Sequence, residues 1–362
     1  DLNSRKPDFP DSGRRANRWL LSVPLGIGLL VFIGYSVLWF AGAGIMRDEV
    51  NAWIADQRAR GLTAEHGPIR VEGYRFLLRA RLDDPVYGDR EAGWEWQAER
   101  LYVDTLPYNP TRLIFTPNGE QKIRIESDEV REFWQITSDS IRASISETET
   151  AIDLFEVIAV PVDGASDTGF EKLEIGRFRA NTLVAPEEES GSATGSFAME
   201  GQNIALFATK PADNVMVEFV DAGVRASELE EFLDAAVGGR SYRPWHDAGG
   251  ELTIDSVRLI INGAGETPPS QVGLTGTLFV DAGNYPAGKL QTSLANHEAL
   301  LRLLIQYGVV APENANTIDS ALTTLSQAMG DELRVPIDLK NGKAQISTPL
   351  GGITIARLDR LD

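Results

Sequence analysis

An uninterrupted apolar stretch near the N-terminus, residues 19–46, constrains this chain more than any other feature. Its 28 residues include no charged side chain. About 20 apolar residues suffice for a helix to cross a bilayer, so the stretch predicts a transmembrane helix. Trp19 and Trp39 would be separated by about 30 Å along this helix, which would place the two indoles at opposite membrane interfaces. Ser22 and Gly26 form a small-xxx-small pair, a pattern typical of helix–helix contacts in membranes.

The charges that flank the apolar stretch predict its orientation. Five basic residues precede it, whereas Arg47-Asp48-Glu49 after it is mixed in sign. This bias favours a cytoplasmic N-terminal tail and a translocated C-terminal body. A cleaved signal sequence is the alternative, with Ala41-Gly42-Ala43 as its cleavage site, but the apolar core of a signal usually has only about 7–15 residues. We therefore expect a retained single-pass anchor.

The composition limits the kinds of partner that the body can have. The chain of 362 residues has a formal net charge of −19, which argues against nucleic acid because phosphate binding needs clustered Lys and Arg. Cysteine is absent, so disulfides and thiolate metal sites are excluded. The three histidines, His66, His246 and His297, have no metal-ligand spacing, and we expect no metal and no cofactor.

The body is predicted to consist mainly of curved β-strands. After residue 62, apolar residues alternate with polar ones, and this alternation changes parity after Gly73, at Gly176 and between Ile254 and Val257. Each change is interpreted as a β-bulge, because one extra residue returns the apolar set to the core face. Repeated bulges indicate curved strands, and strands that follow one another directly indicate antiparallel pairing.

Three stretches have the apolar spacing of amphipathic helices, at residues 226–237, 296–307 and 317–329. Each needs an apolar partner surface, and the concave face of a curved sheet would provide it. The predicted fold class is therefore α+β and β-rich: an N-terminal transmembrane helix, then a curved antiparallel sheet with bulged strands, with a few amphipathic helices packed on its concave face. The predicted organisation is a tail at 1–18, a transmembrane helix at 19–46, a helical stalk at 47–62, a first β-rich half at 63–210 and a second β-rich half with helices at 211–362.

Motifs of known catalytic sites are missing from the sequence. It contains neither a nucleophile elbow nor a phosphate-binding glycine loop. Asp167-Thr168-Gly169 matches the aspartic-protease triplet, but it occurs once, and that chemistry needs two carboxylates that share a proton. A polar turn is the simpler interpretation. We expect a protein that is not an enzyme, while a periplasmic hydrolase whose carboxylates form no motif stays open.

Two groups of residues are candidates for contact with lipid. The first would bind anionic headgroups through charge-assisted hydrogen bonds, unless it is a solvent face paired with acidic neighbours: Arg75, Arg79 and Arg81. The second would line a hydrophobic groove, although ordinary core packing predicts the same alternation: Tyr74, Phe76, Trp94 and Trp96.

Three short motifs resemble the family called domain of unknown function 2125, found in alphaproteobacteria: Gly73-Tyr74-Arg75-Phe76, the Trp94/Trp96 strand and Tyr108-Asn109-Pro110. The resemblance covers most of the chain, including a single N-terminal membrane helix, and implies no catalytic residues. The sequence Phe-Val-Asp-Ala-Gly occurs at residues 219–223 and again at 279–283, each time at the end of a predicted strand and before a predicted helix. These strand–turn–helix units are similar, more weakly, to AsmA-like envelope proteins, which resemble lipid-handling scaffolds of Gram-negative cell envelopes.

Together these features predict a non-enzymatic protein of the bacterial inner membrane, with a periplasmic body that binds lipid or acts as a scaffold. Membrane, lipid and other membrane proteins are the expected partners. The alternative is an accessory single-span subunit that pairs through Ser22 and Gly26 with a larger membrane complex. A continuous apolar trough would favour lipid handling, whereas a filled interior would favour scaffolding.

Overall fold

The computed structural model describes residues 18–74, 76–126, 131–162, 169–185, 193–210, 214–236, 241–262, 268–306, 310, 312–330, 332–348 and 351–361. Over these residues the chain forms one long helix and then a β-rich body that also carries short helices. The helices are α1 (Arg18–Ala59), α2 (Leu229–Ala236), α3 (Arg243–Asp247), α4 (Glu298–Gln306) and α5 (Pro312–Met329).

The strands follow one another with few interruptions. Those before residue 186 are β1 (Thr63–Glu65), β2 (Arg70–Glu72), β3 (Leu78–Asp83), β4 (Val86–Asp89), β5 (Trp94–Leu106), β6 (Asn109–Glu126), β7 (Arg131–Ile145), β8 (Glu149–Pro161) and β9 (Phe170–Ala185). Those after it are β10 (Thr194–Ala208), β11 (Val215–Ala226), β12 (Leu252–Ile261), β13 (Ser270–Val280), β14 (Pro286–Ala295), β15 (Glu332–Lys340), β16 (Lys343–Thr348) and β17 (Gly351–Arg357).

The helix α1 is continuous over 42 residues, so the predicted stalk is the C-terminal part of the same helix as the predicted membrane span. Its apolar part is long enough to cross a membrane. Gly61, with φ of +90°, ends the helical turn. The Gly61 N–H donates to the Arg58 carbonyl (3.0 Å) and the Leu62 N–H to the Gln57 carbonyl (3.1 Å), which satisfies two of the last free carbonyls.

The strands form one open, curved antiparallel sheet, which confirms the predicted fold class. From β5 onwards, every strand pairs with the next one along the chain. The other side of β5 pairs with β3 and β4 in line, and these pair in turn with β2 and β1. Because β10 and β11 pair along most of their length, the sheet continues past residue 210 without a break.

One face of this sheet, which we call the inner face, is apolar from strand to strand. Residues directly opposite each other lie on the same face, so the strand registers define rows that cross the sheet. One such row runs through Val103, Phe115, Ala143, Ile152, Ala180, Met199, Ala222, Val257 and Leu274. The adjacent outer row runs through Arg142, Asp153, Arg179, Glu200, Asp221 and Arg258. These two rows differ sharply in polarity, although the outer face also exposes large apolar side chains such as Phe155 and Ile158.

Three residues with irregular backbone conformation or pairing lie side by side on strands β8, β9 and β10. All three strands bend at this line. Glu156 and Asn203 have left-handed backbones, with φ of 48° and 54°, and lie close to Gly176 of the strand between them. Alternation changes parity at this line in each strand, so Leu154 and Val157 of β8 both belong to apolar rows. At Gly176 the parity changes as predicted, but neither neighbouring pairing shifts in register, so this position is part of the line and not a bulge. The register shift between Ile254 and Val257 confirms the bulge predicted there.

The bulge predicted at Gly73 is wrong. Gly73, with φ of +90°, begins the turn between β2 and β3, and Glu72 pairs with Arg79 across that turn. A short turn also resets the parity of the apolar residues, which is why the two structures look alike in the sequence. Tyr74 and Phe76 therefore lie in a turn and not in a strand.

Helices cover the inner face at its two ends. At the first end, α1 packs against β1, β2 and β3. At the other end, α3 and α4 contact β13, and α5 contacts β15, which agrees with the prediction that amphipathic helices pack on the concave face. The short helix α3 was not predicted; its Trp245 is 3% exposed and donates its indole N–H to the Ser227 carbonyl (2.8 Å).

We expect Asn203→Val to lower the free energy of unfolding by about 1–3 kcal/mol, because a β-branched residue is strained at a positive φ. Asn203→Gly is the matched control and should change it by no more than about 0.5 kcal/mol. Denaturant unfolding followed by circular dichroism in mild detergent measures both. Equal stability of the two variants would contradict a bend that depends on this backbone conformation.

Candidate functional site: an apolar trough

The inner face between β6 and β12 forms an open apolar trough. The main helix contacts of the described chain involve β1–β3, β13 and β15, so most of this middle section lies between the two helix-covered ends. Within it, Leu229 of α2 packs on Gly195, at the start of β10. Six inter-strand steps of about 4.8 Å give it a length of about 29 Å. The trough is therefore about as long as the hydrocarbon core of a bilayer is thick.

The exposed fraction of the lining side chains rises from the interior of the trough to its rim, as expected for a concave surface. Val157 and Ala159 of β8, an interior strand of the trough, are only 5% and 4% exposed. Nearer the rim, Ile125, Ile145 and Phe197 are between 39% and 47% exposed. The curvature of the sheet thus buries small apolar side chains in its interior. Large apolar side chains stay exposed near the rim of the trough, where they would contact an apolar ligand.

A few polar side chains interrupt the apolar lining near β6 and β7. Gln121 is 3% exposed and accepts a hydrogen bond from the indole N–H of Trp96 (3.1 Å). Glu132 is 5% exposed and lies opposite Ile125. Burying a polar group is costly unless it is hydrogen-bonded, and Trp96 provides that bond for Gln121. This part of the trough is therefore specified by polar contacts as well as by packing.

The two described arginines of the predicted headgroup site already have acidic partners. Arg79 binds Asp104 through two hydrogen bonds of 2.6 Å and lies over the ring of Tyr102. Arg81 binds Asp83 at 2.8 Å. The hydrogen bonds that Arg79 donates to the Asp104 carboxylate raise the pKa of Arg79, so it stays charged at any physiological pH. Arg75 lies outside the described residues, and headgroup binding by these arginines stays a prediction.

The four aromatic residues predicted for the groove do not come together. Trp94 and Trp96 lie on the inner face beside Tyr87, whose ring is 5.6 Å from that of Trp94. Tyr74 packs against α1 instead, and Phe76 is 79% exposed on the turn. Sequence reasoning missed most of the true lining, although the repeated apolar pairs spaced by three residues across each bend were the signal for it.

The last part of the apolar stretch docks the helix on the sheet. Trp39, Ala43 and Met46 are between 5% and 8% exposed and share a core cluster with Leu78 and Val103. The indole N–H of Trp39 donates to the Leu77 carbonyl (3.0 Å), so this ring faces the sheet and not a membrane interface. The side chains of Trp19, Ser22 and Gly26 lie outside the described residues.

Two cavities occur in the described part of the chain, and the lining of the second includes Ile152 of the trough. One of about 280 Å³ lies between α4 and α5, and is lined by Leu301, Arg302 and Asp319 among others. Beside it, Asp319 and the buried His297 are 2.9 Å apart. The other, of about 370 Å³, lies on the outer face beside Arg142 and Arg179. No group of His, Asp and Glu able to hold a metal ion was found among the described residues.

A family model described as "Uncharacterized protein conserved in bacteria (DUF2125)" matches residues 39–356. This match begins at Trp39, the first helix residue in the core cluster, and ends within β17. It therefore covers the docking part of α1 and nearly the whole sheet. No curated protein and no solved structure matches the chain.

We expect Trp39→Ala to lower the free energy of unfolding by about 3–5 kcal/mol, because it removes a buried ring and leaves the Leu77 carbonyl without its donor. Leu38→Ala is the matched control: Leu38 is the adjacent residue, is 71% exposed and should have little effect. Denaturant unfolding in mild detergent compares them. If the two losses are similar, the helix is not held by this contact.

Proposed function

Because the chain belongs to the DUF2125 family of bacterial proteins, whose fold here is an anchored sheet with an open trough, we propose that it is a membrane-anchored lipid-handling protein and not an enzyme. Its body would lie in the periplasm, attached to the inner membrane by α1, with its N-terminus in the cytoplasm. Acyl chains would lie in the trough. The observation that carries the proposal is the uninterrupted apolar row across the inner face.

The dimensions and lining of the trough support an acyl chain as the ligand. One leaflet is about 15 Å deep in hydrocarbon, and the open section is about twice that length. A chain lying across the strands would contact Ile152, Ala180, Met199 and Ala222 in turn. Such contacts are non-directional and roughly proportional to buried area, so the trough would accept chains of different structure.

The energetics favour transfer of lipid over permanent storage. Each methylene removed from water contributes about 0.8 kcal/mol, but a chain that leaves a bilayer leaves an environment as apolar as the trough. The exchange is therefore nearly balanced for the part of the chain that the trough covers. An open trough covers a chain only partly, which would allow release at its other end.

The charged outer face fits a body that is surrounded by water. Arg179 and Asp153 are 3.2 Å apart across neighbouring strands, and Arg225 and Asp255 form a close bidentate pair. The weaker resemblance to AsmA-like envelope proteins and the positive charges before α1 point to the same location. We further propose that the protein comes from an alphaproteobacterium, as its family resemblance implies.

The test places a photo-crosslinking amino acid at Ile152, in the trough, or at its neighbour Ala151, which lies on the outer face opposite Ser144 and Asn181. We expect several-fold more phospholipid adduct at position 152 than at position 151 in native membranes, measured by mass spectrometry. Neighbouring positions keep the expression and the distance from the anchor the same. Protein adducts at 152 in place of lipid would instead favour a scaffold that docks a partner in the trough.

A further inference from the structure

We propose that the sheet itself enters the membrane. In this inference, which rests on the anchoring part of the proposed function, two parts of the sheet insert into the leaflet beside α1. They are the described residues of the β2–β3 turn, Gly73, Tyr74, Phe76 and Leu77, and the β5–β6 hairpin at Tyr108. The bilayer is thus a second surface that the body binds, in addition to the one that its helix spans. The first end of the trough would then open directly into lipid.

The β2–β3 turn packs on a segment of α1 that belongs to the apolar stretch. The Tyr74 hydroxyl lies 2.5 Å from the Ser36 hydroxyl, and its ring lies 5.3 Å from that of Trp39 and 5.6 Å from that of Phe40. Phe32 is a further ring neighbour, at 6.5 Å. The turn therefore lies level with residues 32–40 of the helix.

The length of the apolar stretch places that level at or inside the membrane boundary. Its 28 residues extend over about 42 Å, whereas the hydrocarbon core is about 30 Å thick. If the core begins at Trp19, it ends near Leu38, beside Tyr74. If it extends to the last uncharged residue before Arg47, the turn lies deeper still. Phe40 and Ile45 are 64% and 62% exposed on the side of α1 that faces away from the sheet. These exposed apolar side chains favour a hydrocarbon core that extends to the last residues before Arg47.

The residues at the tip of this edge are aromatic and unusually exposed. Phe76 is 79% exposed in the turn. Tyr108 is 81% exposed in the neighbouring hairpin, which lies at the same edge because Leu78 pairs with Thr105. Aromatic side chains are enriched at membrane interfaces, and a water-exposed Phe has no compensating contact within the protein.

The shape of the edge lets these two tips reach a bilayer while acidic turns stay away from it. Strand β6 begins at Asn109 but pairs with β7 only from Leu113, so the β5–β6 hairpin projects about 14 Å beyond that pairing. The next turn at this edge, between β7 and β8, contains Glu147 and ends at Glu149. An anionic membrane surface would repel this acidic turn. The sheet should therefore tilt so that its strands lie farther from the membrane from β7 onwards.

The experiment uses the full chain, which has no native cysteine, in vesicles of phosphatidylethanolamine and phosphatidylglycerol. Single-cysteine variants Phe76→Cys and Tyr108→Cys carry an environment-sensitive fluorophore. Ala92→Cys is the matched control, because it is exposed in a hairpin at the opposite end of β5, about 40 Å away. Nitroxide-labelled lipids at fixed depth report which labels lie in the bilayer.

We expect blue-shifted emission and several-fold stronger lipid quenching at positions 76 and 108 than at position 92. Quenching at both tips equal to that at position 92 would overturn the proposal, provided that circular dichroism shows the folded sheet. The two proposals fail separately: lipid crosslinks at position 152 without tip insertion would leave lipid handling intact, whereas inserted tips without such crosslinks would leave only membrane docking.

Discussion

The structure depends on keeping apolar side chains on one face of a sheet while its strands bend. A strand presents alternate residues to opposite faces, so any bend that consumes one residue would turn the apolar set outwards. Here the bends of neighbouring strands coincide, at Glu156, Gly176 and Asn203, and the sequence changes parity at each of them. The sheet can therefore curve strongly and still present a continuous apolar surface.

This constraint also explains how the anchor and the body are joined. At the first end of the sheet, the inner face has no further strand to curl over it, and the C-terminal half of α1 covers it. The same helix has a sheet-facing side, where Trp39 and Ala43 are buried, and an exposed side with Leu38 and Phe40, which would face lipid in the proposed membrane span. One helix therefore serves two apolar environments, which accounts for an apolar stretch longer than a bilayer requires.

Much of the fold could be predicted from the sequence, because alternation and helical spacing are local signals. Asn341-Gly342 forms the turn between β15 and β16, and the change of parity at Gly176 and the bulge near Ile254 are both visible in the sequence. The bends at Glu156 and Asn203 carry no glycine, so only the three-residue spacing of the apolar residues around them marks them in the sequence. The docking of Trp39 was hidden for another reason: a helix that is apolar on all sides does not reveal which side meets protein.

The nearest-neighbour order of the strands has a consequence for how the molecule is made. Each strand after β5 pairs with the strand that precedes it in the chain, so its pairing can form without a segment from a distant part of the sequence. As the polypeptide is made, hairpins can therefore add one at a time to a growing edge. Such a product is modular: inserting or deleting a hairpin would lengthen or shorten the molecule without changing the connections of the remaining strands.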